Sequence, residues 1–337
     1  MTARRRLLLL CAVLPAALLL VPAARAAGPP LPSSASGNAG AVAPGGSERL
    51  LTRRVAGDTV VIAVRRGSGR VLRSRRIAGR WSVPPVSLDN RTTGLSADGR
   101  TLVLVRPTRE IPPASTRLAI LDARGLVVLR RIELRGFFTV DAISPDGASL
   151  YLVQYPGDDV SQYRVRALDT RTGRLASGDI VDPREPDEQM GGLPMTRLMS
   201  RDGRWAYTLY GGGTETFIHA LDTVGRTAAC IDLEMLDPGA DLSRVRLALS
   251  GDGGRLRVRD GGELVATVDT RTFAVSEPGE AAPAAAAADA APPQPAAPPP
   301  DDGGGFPWPV LLLGAGAGLC ALAVTAARRR GRRVARV

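Results

Sequence analysis

The chain has no lysine, a single histidine, His219, and three cysteines, Cys11, Cys230 and Cys320, in 337 residues. Without a lysine amine there is no Schiff-base or pyridoxal-phosphate chemistry and no Walker-type phosphate loop. One histidine and three scattered cysteines supply neither a zinc cluster nor a disulfide framework. Aromatic residues make up only 4%, too little for a platform that stacks sugars or bases. Asparagine occurs only at Asn38 and Asn90. No metal and no cofactor is expected.

What the chain has in plenty is arginine, with 44 basic residues against 33 acidic ones and a formal charge of +11. The excess sits at the ends: residues 1–26 and 306–337 carry ten arginines and no acid. Between them the balance is 34 basic to 33 acidic residues. The high charge therefore belongs to two targeting segments, and no nucleic-acid partner is expected.

The first segment has a charged start at Arg4, Arg5 and Arg6, an apolar run from Leu7 to Val21, and a small-x-small site at Ala24-Arg25-Ala26. That is the layout of a cleaved signal peptide over residues 1–26. At the other end, residues 306–327 hold 22 residues without a charge, followed at once by Arg328, Arg329, Arg330, Arg332, Arg333 and Arg336. Such a run crosses a hydrocarbon core of about 30 Å, and the arginines after it stay in the cytoplasm. The expected location is the cell membrane: one span at 306–327, a basic tail at 328–337 and the bulk of the chain outside. Residues 279–305 are rich in Ala, Pro and Gly, with four acids and no basic residue. They read as an extended tether. Residues 27–47 read as a shorter flexible arm.

Residues 48–278 carry a repeat. Its core is Ser-x-Asp-Gly, found as Ser96, Asp98 and Gly99; Ser144, Asp146 and Gly147; Ser200, Asp202 and Gly203; and Ser250, Asp252 and Gly253. The aspartates are 48, 56 and 50 residues apart, and a strand-like run follows each core. About 20 residues later comes an apolar residue with Asp: Leu121-Asp122, Leu168-Asp169, Leu221-Asp222 and Val268-Asp269. An Asp-Gly pair suits a tight turn, because Asp caps the turn's amides and Gly takes positive φ without a Cβ clash. Alternating β-branched runs and the lack of any helical stripe make this region all-β. Two hairpins per unit of about 50 residues is the economy of a propeller blade.

These cores, with Leu168 to Gly173 as the cleanest second signature, resemble the YVTN-type and WD-repeat-like β-propellers of bacterial envelopes over roughly residues 55–276. The resemblance implies a β-propeller. Four full units plus a half-unit, from Thr59 to Ile77, imply five blades, the odd one completed by pairing N-terminal with C-terminal strands. It says little about activity, since such propellers serve as enzymes, scaffolds and receptors. Lactonase-like members of the group hold a metal in the central channel with Glu, Asn, Asp or His, and two asparagines and one histidine do not reproduce that set.

The twelve Ser, Asp and Gly residues of the repeat cores are therefore read as structural turn residues. The acidic stretch Asp182, Glu185, Asp187 and Glu188 reads as a solvated loop, His219 as a strand residue and Cys230 as a core residue. Residues 48–138 carry 19 Arg and seven acids, whereas 139–278 carry 15 Arg and 22 acids. One sector of the ring is thus basic, with Arg73, Arg75 and Arg76 as candidate contacts for an acidic protein or an anionic envelope polymer. The function expected is a membrane-anchored, non-catalytic interaction module outside the cell membrane. The alternative is an envelope hydrolase or lyase that uses acids in the propeller channel.

Overall fold

Short runs of alternating or wholly apolar residues, each closed by a tight turn, leave the chain little choice but antiparallel hairpins. The computed structural model describes residues 39–279, apart from 43–45, 158–159, 161 and 188–189. The expected signal segment, the span with its basic tail, and all of the tether except Gly279 lie outside the described residues. Among the described residues no helix is long and apolar enough to cross a membrane.

The strands form five separate antiparallel sheets, taken up one after another along the chain. Sheet I holds β1 (Glu48–Val55), β2 (Asp58–Arg65) and β3 (Val71–Ile77), and sheet II holds β4 (Thr101–Val105), β5 (Ser115–Asp122) and β6 (Val127–Arg135). Sheet III consists of β7 (Phe137–Ile143), β8 (Ser149–Tyr155), β9 (Gln162–Asp169) and β10 (Met190–Gly191). Sheet IV runs through β11 (Leu193–Met199), β12 (Trp205–Gly211), β13 (Phe217–Asp222) and β14 (Thr227–Asp232). Sheet V runs through β15 (Val245–Leu249), β16 (Arg255–Asp260), β17 (Glu263–Asp269) and β18 (Val275–Ser276). Each is a meander in which neighbours in sequence are neighbours in the sheet, as in the blades of a β-propeller.

Sheet I differs from the expected closure. Rather than borrowing a C-terminal strand, it is built wholly from the N-terminal part, with Ala41 bridging Leu50 at its inner edge. The register from Val55↔Asp58 to Glu48↔Arg65 leaves only Ala56 and Gly57 in the loop, both at positive φ (47° and 89°). A two-residue turn of that hand closes at small entropic cost, so a local partner for β2 forms in place of a distant one. Sheet V likewise finishes on its own strand, β18.

Consecutive sheets are joined face to face by apolar clusters. Val61 and Ala63 of sheet I meet Leu102, Leu104, Ala119 and Leu121 of sheet II. Val103, Leu118 and Ile120 of sheet II meet Phe138, Val140 and Leu152 of sheet III. Tyr151, Tyr163 and Val165 of sheet III meet Ala206, Tyr210 and Phe217 of sheet IV. Leu209, Ile218 and Ala220 of sheet IV meet Leu247, Leu256 and Val258 of sheet V. Among the described residues sheets V and I share no such cluster.

Candidate functional site

The repeat cores resolve into one bonded device used four times. In each, the serine hydroxyl donates to the aspartate carboxylate two residues on, at 2.5–2.6 Å. The same hydroxyl accepts from the backbone N–H five residues on, at 2.8–2.9 Å. The carboxylate accepts from the N–H of the residue after glycine, at 2.9–3.1 Å. Gly99, Gly147, Gly203 and Gly253 all sit at φ between 67° and 76°, the left-handed region that a Cβ penalises. The serine hydroxyl, ahead of the backbone amides, holds the carboxyls of Asp146, Asp202 and Asp252 below the ordinary range.

The second signature is bonded to the first. The threonine after its aspartate, as Thr170, Thr223 and Thr270, donates to the carbonyl of Gly147, Gly203 and Gly253. Asp122, Asp169, Asp222 and Asp269 each accept from an amide three residues on. The coupling of the two motifs along the sequence is thus a hydrogen bond between neighbouring hairpin turns. The first copy has Ala123 where the others have threonine, and keeps only a backbone bond, Ala123 N–H to the Arg100 carbonyl at 2.7 Å.

The first strands of sheets III and IV, β7 and β11, meet at their buried faces. Asp141 of β7 and Arg197 of β11, each about 3% exposed along its side chain, form an ion pair there. The connection between β3 and β4 crosses to the same place: the Leu88 N–H donates to the Pro194 carbonyl at 2.8 Å, and the Thr196 hydroxyl donates to Asp89 at 2.8 Å. Two Asp-Gly turns also meet, with the Asp98 N–H donating to the Pro145 carbonyl at 3.0 Å.

A pocket of about 410 Å³ opens beside β7 and β11, bounded by Ala41, Val42 and Arg66 from sheet I and by residues of sheets II, III and IV. Its polar lining is Arg66, Arg91, Thr92, Thr93, Arg197 and Arg201, with no carboxylate among the lining residues. Arg66, Arg91 and Arg201 are exposed, whereas Arg197 is buried and its Nε has no hydrogen-bond partner among the described residues. None of these four was singled out from the sequence, because they lie on different turns and strands and share no spacing. A second recess, of about 150 Å³, lies between sheets II and III and is lined by Pro84, Pro85, Pro107, Pro113 and Phe137. Arg106 is the one charged residue of its lining.

Of the arginines proposed to contact an anionic partner, two are engaged within the chain. Arg73 pairs with Glu48 at 2.8 Å and donates to the Ala123 carbonyl at 3.0 Å, and Arg76 pairs with Asp58 at 2.8 Å. Arg73 lies opposite Ala63 and Arg75 opposite Val61, on the face turned to sheet II, while Arg76 lies on the other face, opposite Val60. Arg75 alone of the three is exposed without an ion pair among the described residues.

Asp182, expected in a solvated loop, is buried and ties that loop to β14: it accepts from Arg184 and from the Cys230 N–H at 3.0 Å. The Arg184 guanidinium, followed by the backbone amides, outweighs burial and draws its carboxyl down to about 2. His219 is a fully buried residue of β13, and burial pushes its imidazole down to about 4. Among the described residues no group of acids, His and Cys is placed to hold a metal.

No family model and no curated protein matches this chain. Solved structures overlap it in part. TolB from Acinetobacter baumannii does so at 13% identity and a TM-score of 0.40, covering 68% of this chain and 50% of its own. The Swd1 β-propeller domain of Myceliophteria thermophila does so at 13% identity and a TM-score of 0.38, covering 65% and 62%. The Dos1 propeller gives 12% identity and a TM-score of 0.41, covering 69% and 58%. The chain thus spans between half and less than two thirds of each. At such values they transfer neither activity nor partner, and the propeller assignment stands on the five meander sheets described above.

Proposed function

We propose that this chain is a membrane-anchored interaction module of a bacterial envelope, with its propeller outside the cell membrane and no catalytic role. Residues 306–327 form the anchor, the arginines from 328 onward lie in the cytoplasm, and 279–305 hold the propeller away from the bilayer. The observation that carries the non-catalytic reading is the commitment of the repeated acids. Asp98, Asp146, Asp202 and Asp252 each close a turn through a serine and a backbone amide. Asp141, the buried acid of β7, faces Arg197. A channel hydrolase needs a carboxyl that can hold and release a proton near the substrate, and these acids are occupied in holding the fold.

The test uses the full chain in intact cells, with an epitope in the propeller and another at the C-terminus. Added protease should release the propeller by cutting within 280–305 and leave the C-terminal epitope protected. A protected propeller, or a C-terminus cut from outside, overturns the topology. Turnover of lactone, ester or glycoside model substrates that vanishes in an Asp141→Asn variant whose dichroism spectrum matches the wild type would replace the interaction module with a channel hydrolase.

A further inference from the structure

We infer that the arginine-lined pocket binds a small ligand bearing a dianionic tetrahedral oxyanion, the group a phosphate monoester carries, through Arg66, Arg91, Arg197 and Arg201. This deepens the interaction reading, and rests on it in treating the pocket as a place of binding and not of turnover.

The first argument is charge. Four arginines and no carboxylate line the pocket. Arg197 is balanced by Asp141, and Arg91 faces Asp89 at 3.3 Å. Arg66 and Arg201 have no acidic partner among the described residues, and Arg66 is held only by a hydrogen bond of 3.1 Å to the Gly46 carbonyl. The uncompensated charge is therefore that of two guanidiniums, which a dianion matches and a single carboxylate does not.

The second argument is an unmet hydrogen bond. The Nε of Arg197 is buried without a partner although its Nη1 is bonded to Asp141. A buried donor left without an acceptor is costly, more so on a charged group. Asp141 Oδ2 is likewise buried without a partner among the described residues, so the pair is incomplete on both sides, and an oxyanion in the pocket supplies an acceptor for Nε once the Arg197 fork turns toward it.

The third argument is shape. Planar guanidinium forks fit tetrahedral oxyanions edge-on, and forks entering from different walls hold several oxygens at once. Arg66 comes from the end of sheet I, Arg91 from the crossing connection, Arg197 from β11 and Arg201 from the turn after it. A pocket of about 410 Å³ has room for the organic part of a small ester beside its anionic head. Leu95, Ile143 and Met199 provide an apolar wall for that part.

The experiment is titration calorimetry of the full chain in phosphatidylcholine nanodiscs, with inorganic phosphate as the probe and ionic strength held constant. The expected result is saturable one-site binding that equimolar acetate does not displace. Arg66→Gln and Arg201→Gln should each weaken it roughly tenfold or more, the loss of one charge-assisted hydrogen bond. Arg201→Lys, which keeps the charge without the fork, should weaken it less, and Arg257→Gln on sheet V should leave it unchanged. Both pocket arginines are exposed, and a dichroism spectrum identical to that of the wild type establishes that each variant is folded. Heat that never saturates, equal displacement by acetate, or the same loss in Arg257→Gln overturns the proposal. So does binding seen only with phosphatidic acid vesicles, which would make the ligand a lipid surface. The two readings fail separately, since lost phosphate binding leaves the protease topology intact and a reversed topology leaves the titration unaffected.

Discussion

Sheets IV and V share a cluster yet differ in what their faces meet. In β12, Ala206, Thr208 and Tyr210 turn towards sheet III, Tyr207 and Leu209 turn towards sheet V, and all five are buried. In β16 only Leu256 and Val258 are buried; Arg255 and Arg257 are exposed, and Arg259 partly so. The rows across sheet V extend that second face: Arg257 lies between Ala248 and Thr267, and Arg246 lies opposite Arg259. A sheet buried on both faces reads as a continuous apolar run, and one buried on a single face alternates. Sheet I offers Leu51, Val60, Ile62 and Val64, half-buried, on its face away from sheet II. Sealing sheet V against an apolar face would strip water from a row of guanidiniums without supplying counter-charges, a cost that burial of a few methyl groups does not offset. The fifth seam therefore lacks the kind of core that closes the other four.

The comparison is sharpened most by the buried ion pair of the III/IV seam. Asp141→Asn leaves Arg197 buried without a counter-charge and should destabilise by about 3–5 kcal/mol, whereas Arg257→Ala on the free face should stay within about 0.5 kcal/mol. Urea unfolding of both variants decides it, and equal effects would mean that the two faces are equally wet. Next in size is the IV/V core. Leu209 is fully buried, and Leu209→Ala should cost about 2–5 kcal/mol, the loss of transfer energy plus a cavity. A cost below about 1 kcal/mol in the same assay would show that this seam is loose as well.

The Asp-Gly turns give a matched pair. Gly147 and Gly253 have nearly the same φ, 74° and 76°, but a Cβ at Gly147 collides with Thr101 of sheet II, while one at Gly253 meets nothing within 4 Å. Gly253→Ala should lose about 1 kcal/mol from the left-handed backbone alone. Gly147→Ala should lose about 2–3 kcal/mol, because crowding adds to the same strain. Thermal melts that rank them the other way would break the assignment of sealed and open seams.

The III/IV seam also carries a pH dependence. His219 packs edge-on against Tyr210 at 6.4 Å, and its pKa falls from 6.5 to about 4 through burial. Between those values the unfolded chain takes up a proton that the folded chain does not. Stability should therefore fall as the pH drops from about 6.5 towards 4, by about 3 kcal/mol. Asp182 works in a separate, lower window: held at about 2 in the fold, it contributes stability present above about pH 4 and lost as pH falls towards 2. In His219→Gln the loss between pH 6.5 and 4.5 should shrink; an unchanged slope there would falsify the origin assigned to it.

Much of the fold was legible because turns are local. Ser144, Asp146 and Gly147 carry the whole device of their turn within six residues, so composition and spacing reveal it. The alternation of Arg255, Arg257 and Arg259 with Leu256 and Val258 is an equally local sign that one face of sheet V stays wet. The first strand of sheet I is hard to see in the sequence because β1 lacks the Ser-x-Asp-Gly core, and the Ala56-Gly57 turn is the local signal that marks it. The acidic stretch misled for a different reason, since nothing in its composition tells that Asp182 finds the Cys230 amide on a strand 48 residues away.

The sequence by itself determined the units: where each hairpin turns, which strands follow and how many sheets result, because each depends on groups a few residues apart. The tertiary structure alone decided which faces the four sealed seams bring together, that Arg73 and Arg76 are occupied by Glu48 and Asp58, and that Arg66, Arg91, Arg197 and Arg201 share one pocket. Those outcomes depend on pairing groups far apart in the chain, where contact is set by the packing of whole sheets and not by the spacing of residues.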